Sequence, residues 1–508
     1  MRTVPHHIQI MRRVLFFLLA LLAIFLLVQA AFSLQWPITH DEAPLLYETF
    51  LMHDQGRVPY RDIFDFQMPG SFAAYSALGL LSGFSAFRIR ILDLILLSTL
   101  LSVTFFLMRR FGSPAAFAAA LLFGLKYLQG GPSMSLQREY ILLIFIALAV
   151  WVTLLDDQLT FRRRLLIGLL FGLAAVIKPH AAIGLLPILL FDITDIFKRL
   201  KLTRLKAAAD SILPTTAGFL IPVLIMIAWL GFAGALAPFL GIAVNYWPLY
   251  SQINGQMEIT LPAQRMFFLL DQVWRLGGNG FWLIPAMIGI FLNQNRRTYL
   301  LVSLALSYAI YPALSGQFFP YHYIPFIYFI ILLGSLSISN IDLQSLTFKS
   351  LLIQLTSFIF LCTLIRPSST FIRQIEGRSI ATSTDRSVEI TRFLQKNLEK
   401  GDTVQPLDWT GGALLAMLET RAHIATPYVF DFYFYHHVST SYIKFLRADF
   451  INDLQASPPR FIIEVTAIDK PWISGADTSR EFPELREFLN ENYSVTIQKD
   501  DYMIYERH

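Results

Sequence analysis

The chain has 508 residues, of which 55% are hydrophobic and 15% charged, and a mean hydropathy of +0.52. That is too apolar for a soluble protein and too long for one membrane span, so the composition specifies a polytopic membrane protein. The formal charge of +5 resides in short basic clusters between apolar runs, the pattern of cytoplasmic anchors, and nucleic acid is excluded as a partner.

Cys362 is the single cysteine, which excludes an internal disulfide, and no Cys/His spacing suits a structural zinc site. The first apolar run, residues 11 to 35, carries Arg2, Arg12 and Arg13 at its start. It is longer than a signal-peptide core and is read as a retained helix. Further runs lie near 87–108, 113–128, 139–155, 164–178, 181–197, 208–231, 279–294, 298–314, 322–339 and 350–366, giving about eleven expected transmembrane helices. The two short runs that meet at Lys178-Pro179-His180 are consistent with one bent hairpin. With the N-terminus inside, the inner ends hold Arg12, Arg13, Arg109, Arg110, Arg162 to Arg164, Lys198 to Lys206, Arg296 and Arg297. The outer ends hold roughly half as many, which obeys the positive-inside rule. The 36–90 loop, the 129–138 loop, Lys178 to His180, the 232–278 loop and the 316–322 segment then face outward.

Residues 1–366 are thus expected to form a transmembrane domain with a large first outer loop at 36–90, and residues 367–508 a soluble extracytoplasmic α/β domain. In the latter, RSVEITRFLQKNLE, GGALLAMLE, SYIKFLRADFINDL and PELREFLNENY read as helices, and DTVQPLDW and RFIIEVT as strands. SVTIQ and YMIYER read as a closing hairpin. No glycine-rich phosphate loop and no nucleophile elbow occurs there, so no separate active site is expected in it.

Candidate chemistry concentrates in the first loop. It carries Asp41, Glu42, Asp54, Asp62 and Asp65, residue types that the flanking apolar runs almost entirely lack. EAPLLYETFLMHDQ has helical apolar spacing at Ala43, Leu46, Tyr47, Phe50 and Leu51, which predicts an amphipathic helix along the membrane surface ending at Gly56. Asp41 precedes its first turn and reads equally as an N-cap or as a rigidly mounted functional carboxylate. GRVPYRDIFDFQMPG follows as a compact turn-rich segment, with Arg61 and Gln67 beside Asp62 and Asp65. By composition it is a solvated turn, and by position it is a loop able to hold polar groups at the mouth of a membrane cavity.

The acidic pair after the first span and the pattern G-x-x-P-Y-x-D-x-F-D-x-x-x-P-G resemble the GT-C superfamily of polytopic glycosyltransferases. The branch most similar contains the protein O-mannosyltransferases and the bacterial lipid A aminoarabinose and galacturonic acid transferases. The span count, QREY before the fourth span, IKPH, FFPYHYIPF and the C-terminal α/β domain extend the resemblance. It implies an enzyme of the bacterial inner membrane, with its active site on the periplasmic side. That enzyme would be an inverting transferase (EC 2.4 class) moving a sugar from a polyprenyl-phosphate-linked donor to a lipid, glycan or protein acceptor. Carried over, Asp41 matches the family's first-loop acid, a general base or metal-placing group, with Glu42 its neighbour. Asp62 and Asp65 fall in the second acidic segment, and Asp41 and Asp65 are the carboxylates for a divalent cation, Mg or Mn, if one is used. The chain departs from the family at Gln67-Met68-Pro69-Gly70, where many relatives have a carboxylate or lysine directly before the proline pair.

A lipid phosphate gains charge as the glycosidic bond breaks, so cations and hydrogen-bond donors are required. The candidates are Arg61, Arg138, Lys178, His180, Arg265, Tyr321, His322 and Tyr323. Taken singly, Arg138 and Lys178 also read as interfacial anchors and His322 as a structural histidine. Two alternatives are a lipid-linked glycan polymerase or ligase and a polytopic transporter without transferase activity. The first is disfavoured by the early position of the large loop, the second by the lack of two similar halves.

Overall fold

Hydrocarbon offers no partner for backbone N–H and C=O groups, so apolar runs of this length fold as helices that satisfy their own hydrogen bonds. The computed structural model describes residues 6–156, 159–200, 203–339, 348–380 and 382–508. Arg2 and Lys201, two of the basic residues counted above, lie outside them. Among the described residues six helices are long and apolar enough to cross a membrane: Arg12–Ser33, Ala86–Phe111, Pro179–Lys198, Leu205–Phe232, Arg296–Ser315 and Pro320–Ile338. A seventh is reached if Ala263–Gly278 and Gly280–Leu292, bent by 63°, form one span. The other runs behind the expected eleven form shorter helices, Ser113–Gln129, Arg138–Leu154, Phe161–Ile177 and Phe348–Thr363.

The chain divides into two compact units, Met1–Gln35 with Arg90–Ile225 and Leu269–Ile372, and Trp36–Ile89 with Met226–Phe268 and Arg373–His508. In the first, helices Phe161–Ile177 and Arg204–Phe232 approach through glycines. A Cβ on Gly168 would lie 1.9 Å from the Thr215 carbonyl oxygen, and one on Gly218 2.0 Å from that of Leu165. Gly172, four residues after Gly168, faces Phe219 O in the same way, so the pair is a small-residue contact of the G-x-x-x-G kind. Arg164 and Asp192 form a two-pronged ion pair at 2.6 and 3.1 Å that ties Phe161–Ile177 to Leu185–Leu200. Between those two helices Pro179 has no N–H to donate and restricts the residue before it, so Lys178 sits in extended backbone (φ −153°, ψ 113°).

The second unit is built on a five-stranded mixed sheet. Its strands, with a short outlying pair, are β1 (Glu258–Ile259), β2 (Thr403–Leu407), β3 (His423–Ile424), β4 (Phe461–Val465), β5 (Ser474–Gly475), β6 (Tyr493–Gln498) and β7 (Tyr502–Arg507). The sheet order is β3-β2-β4-β7-β6, with β2 parallel to β3 and β4, and β7 antiparallel to β4 and β6. The strands and helices expected from residues 386 to 507 form as read. β3 and the β1/β5 pair were not expected, being two residues each. Pro406 is tolerated in the sheet interior because β3 pairs β2 only at Thr403 and Val404.

The loop helix forms as Glu42–Asp54, but it does not lie on a bilayer with one wet face. Every residue from Glu42 to Leu51 is buried, Tyr47 Oη donates to Ala422 O at 2.7 Å, and Arg57 donates to Ile424 O at 3.0 Å. Phe64 N donates to Pro427 O at 2.9 Å and Tyr433 Oη to Phe64 O at 3.0 Å, so the first loop is fastened to the sheet's own connections. Tyr47 and Phe64 thus contact chain more than 350 residues away in sequence. Helical periodicity alone does not show which material buries a face.

Adding one methyl at Gly168 forces the paired helices apart, at a cost of about 1–3 kcal/mol by overpacking. Gly168→Ala is therefore expected to lower the melting temperature of the detergent-solubilised protein, and Gly231→Ala, where a Cβ meets nothing within 4 Å, is not. Equal melting temperatures for the two variants would contradict the close helix contact.

Candidate functional site

In the second unit the helix Glu42–Asp54 is entered through a tight turn. His40 takes a left-handed backbone (φ +54°), a conformation costly for a residue with a Cβ and found where the surrounding structure over-determines it. The turn sets His40 Nδ1 3.1 Å from Asp41 Oδ1 and leaves Asp41 6% exposed. Asp41 makes no side-chain capping hydrogen bond. Of the two readings offered for it, the N-cap is therefore not realised. Glu42, 1% exposed, turns back so that Oε2 accepts from Thr39 N at 3.5 Å. Two adjacent carboxylates are thus held in a desolvated corner, a position that requires partners or a function.

The second acidic segment is divided. Asp62 is gripped by Arg61 through two hydrogen bonds (3.0 and 2.8 Å) and by Val58 N at 2.9 Å. The Arg61 bonds hold its carboxyl below the usual carboxylate range, which makes it a poor proton acceptor at neutral pH. Arg61 spends a further donor on Ala233 O at 2.8 Å. This Arg61 and Asp62 pair stitches two loops together. Asp65, 1% exposed, folds Oδ1 onto its own turn, accepting from Phe66 N and from Gln67 N at 2.9 Å. Glu48, completely buried on the same helix as Glu42, shares with Asp65 an electrostatic influence on Tyr60 and Tyr433. It was not singled out from the sequence, although an acid inside the apolar spacing of that helix is a readable signal.

Among the described residues no three His, Cys, Asp or Glu side chains converge as a metal site. Asp65 commits one oxygen to its own turn. Arg265 donates to Ser251 O, closing the loop that contains both.

In the first unit, the segments QREY, IKPH and FFPYHYIPF converge. Glu139, completely buried at the start of helix Arg138–Leu154, pairs with Lys178. Lys178 Nζ lies 2.8 Å from His322 Nε2, and His322 Nδ1 lies 2.8 Å from Gln317 O. Facing a carbonyl, Nδ1 carries the proton, so Nε2 is bare and accepts from the lysine. His322 is consequently an orienting acceptor for Lys178 and not a cation itself. Tyr311 Oη donates to Glu139 Oε1 at 3.4 Å, while Glu139 Oε2 is buried without a hydrogen-bond partner. Tyr321 presents its ring 5.8 Å from Lys178 Nζ, and His180 packs edge-on against Tyr311. Arg138 is 6% exposed and adjoins Glu139 in sequence. Tyr323 does other work: its ring closes over Gly277 and its Oη donates to Gln272 O at 3.4 Å.

The QREY segment has its own support. Asp93 accepts from Tyr127 Oη at 2.6 Å and from Ser135 Oγ at 2.8 Å, Arg90 donates to Ser135 at 2.6 Å, and Tyr127 Oη accepts from Leu136 N at 3.0 Å. Arg90 and Asp93 are each 1% exposed. Neither was singled out, yet two charges inside the apolar run 87–108 are the sequence signal for such a pair.

The second unit also contains an acid-sensitive contact. His436, completely buried, has Nε2 3.0 Å from Tyr246 Oη, and burial pushes its pKa from 6.5 down to about 3. The unfolded chain therefore binds a proton below about pH 6.5 that the folded chain refuses until about pH 3, so stability falls as pH drops through that window. The melting temperature is expected to fall between about pH 7.5 and about pH 5, and His436→Gln to reduce that fall. An identical pH dependence in the variant would show that the proton is taken up elsewhere.

Residues 69–233 match a family model described as "Dolichyl-phosphate-mannose-protein mannosyltransferase". The fold is similar to that of ArnT from Cupriavidus metallidurans bound to undecaprenyl phosphate, with a TM-score of 0.59 and 12% identity over 96% of this chain and 97% of that one. It is also similar to ArnT of the same organism in the apo state, with a TM-score of 0.50 and 10% identity over 96% and 97%. No curated protein matches in sequence. The family match agrees with the GT-C resemblance read from the sequence over residues 69–233, and the fold is ArnT-like.

Proposed function

We propose that the chain is an inverting glycosyltransferase that moves a sugar from a polyprenyl-phosphate-linked donor to a lipid, glycan or protein acceptor on the outer face of the membrane. The observation that carries this reading is the match of residues 69–233 to a family of sugar transferases using a dolichyl-phosphate donor. An ArnT structure of the same fold that holds undecaprenyl phosphate supports it.

In this reading each buried cluster has one task. Lys178, oriented by Glu139 and His322, supplies positive charge for the departing lipid phosphate, with Arg138 as second cation and Tyr321 as wall. A residue that must meet a growing negative charge works best when its geometry is fixed beforehand, which the bonds from Glu139 and His322 provide. Asp41 acts on the acceptor. A sugar or serine hydroxyl is a poor nucleophile at neutral pH, and a carboxylate within hydrogen-bond reach takes its proton as the new bond forms. An acceptor that is itself a phosphate needs no base, and Asp41 then positions it. Asp62 and Arg61 hold the loop in shape.

Because Asp41 caps nothing, Asp41→Asn changes the charge without removing a helix cap. It is expected to fold and to lose on the order of 10²-fold to 10⁴-fold in transfer from a polyprenyl-phosphate sugar to a hydroxyl acceptor. Running both proteins with and without chelator reports any metal contribution. Full activity of the Asn protein would remove Asp41 from the mechanism and leave Asp65 as the acid to test.

The same reading sets the topology, with the N-terminus inside and residues 367–508 outside. Reporter fusions after Arg164 and after His508 are expected to fall on opposite sides of the membrane. A common side for both would sink the orientation.

A further inference from the structure

Three helix ends of the first unit meet at one corner. Gln29, near the end of helix Arg12–Ser33, accepts from Ser368 N at 3.5 Å. A Cβ on Gly131, two residues past helix Ser113–Gln129, would lie 2.9 Å from Thr370 Oγ1. Both partners belong to the chain that leaves helix Phe348–Thr363. In the topology proposed above this corner lies at the outer surface.

Two cations stand there. Lys126, half-buried in the last turn of Ser113–Gln129, has Nζ 3.3 Å from Gln129 Oε1 and 5.9 Å from the centre of the Trp282 ring. One hydrogen bond leaves two of its three protons unused. Arg366 is exposed and acts electrostatically on Lys126, and among the described residues no carboxylate does. Nor does the group of Glu139, Lys178 and His322, so an anion taken up at Lys126 is a different one from the phosphate assigned to Lys178.

An anchoring lysine at a span end ordinarily runs its stem along apolar surface and sets its ammonium in water. Lys126 instead turns its ammonium toward an indole face and an amide oxygen, with a second cation nearby. Like charges in a partly desolvated corner repel, and an anion from outside the chain relieves that repulsion. Orientation does not account for the pair, because the positive-inside rule disfavours basic residues on this side.

The surface beside the corner indicates which anion fits. Phe281, Ile284, Met287 and Phe291 are all exposed, at spacings of three, three and four along helix Leu283–Leu292 and the turn before it. This apolar stripe starts next to Trp282. At 1.5 Å per residue it runs about 15 Å, the depth of one leaflet of a hydrocarbon core about 30 Å thick. A cationic corner with an apolar strip one leaflet long beside it matches a lipid phosphate and its acyl chain.

We propose that Lys126 and Arg366 bind the headgroup phosphate of an anionic phospholipid, whose acyl chain lies along Phe281, Ile284, Met287 and Phe291. The site does not depend on the transferase reading.

The test is native mass spectrometry of the full-length protein in detergent, titrated with phosphatidylglycerol. Phosphatidylcholine, which has the phosphate but no net charge, is the comparison, and inorganic phosphate is the competitor. Phosphatidylglycerol is expected to bind saturably and about tenfold more tightly than phosphatidylcholine, and inorganic phosphate not to displace it. Lys126→Met, which keeps an apolar stem against Trp282, and Arg366→Gln are each expected to weaken phosphatidylglycerol about fivefold. Lys126→Arg is expected to retain the affinity. Lys206→Gln removes an exposed charge at the start of helix Arg204–Phe232, on the inner side in the same topology, and is expected to leave binding unchanged. Equal affinity for the two lipids, displacement by inorganic phosphate, or unchanged affinity in Lys126→Met overturns the proposal. So does a loss in Lys206→Gln as large as that in Lys126→Met, which would mark diffuse attraction by net charge. Should Lys126→Met not fold, Arg366→Gln and the wild-type titrations still decide.

Discussion

The charge of Lys178 is the constraint on which the first unit's chemistry depends. Pro179 cannot continue a helical hydrogen-bond ladder, so the chain breaks there and leaves a lysine side chain only 13% exposed among apolar helices. A lone ammonium in such surroundings would carry a desolvation cost of several kcal/mol, so it must be paired. Glu139 supplies the charge and His322 a second acceptor, one from a helix start and one from the 3₁₀ turn Pro320–Tyr323. The pairing works only if both backbones are held. That explains the buried bracing of QREY by Asp93, Arg90 and Tyr127, and the anchoring of His322 by Gln317 O.

The second unit solves a different problem, how to hold acids out of water on a loop. A surface loop with several carboxylates would keep them solvated and ordinary. Here the loop helix is enclosed instead, with Tyr47 and Arg57 hydrogen-bonded to the backbone around β3. The aromatic rings of Phe64, Tyr246, Tyr428 and Tyr433 fill the space between the loops. Desolvation makes Asp41, Glu42, Glu48 and Asp65 costly as charges, and that cost is tolerable where it serves binding or proton transfer. Asp62 shows the contrast. With Arg61 fully engaged it is the acid whose surroundings most resemble an ordinary structural ion pair.

Several assignments legible in the chain are local, and these hold. The helices and strands after residue 386 follow from periodicities of 3.6 and 2, and the break at Lys178-Pro179 follows from the chemistry of proline. The candidate segments were legible too, because acids and bases stand out against apolar runs. The pairing of those groups was not. Glu139 stood within the quoted QREY without being singled out, since nothing in its neighbourhood announces a lysine 39 residues away or a histidine beyond that. Likewise the apolar stripe of Glu42–Asp54 looked like a membrane-surface face, because a stripe records that a side is buried and not by what.

The sequence by itself determined that the chain crosses the membrane several times, where its helices break, and which short segments carry charge into or beside the apolar bulk. Those outcomes rest on the free energy of apolar transfer and on backbone sterics, both of which act over a few residues. Tertiary structure alone decided that Lys178 is matched by Glu139, that His322 accepts instead of donating, and that Asp41 is free of capping duty while Asp62 is tied to Arg61. Each of these is a hydrogen bond or ion pair whose value depends on angstrom-scale distance and local solvent exclusion. Only packing of segments distant in the chain sets those two quantities.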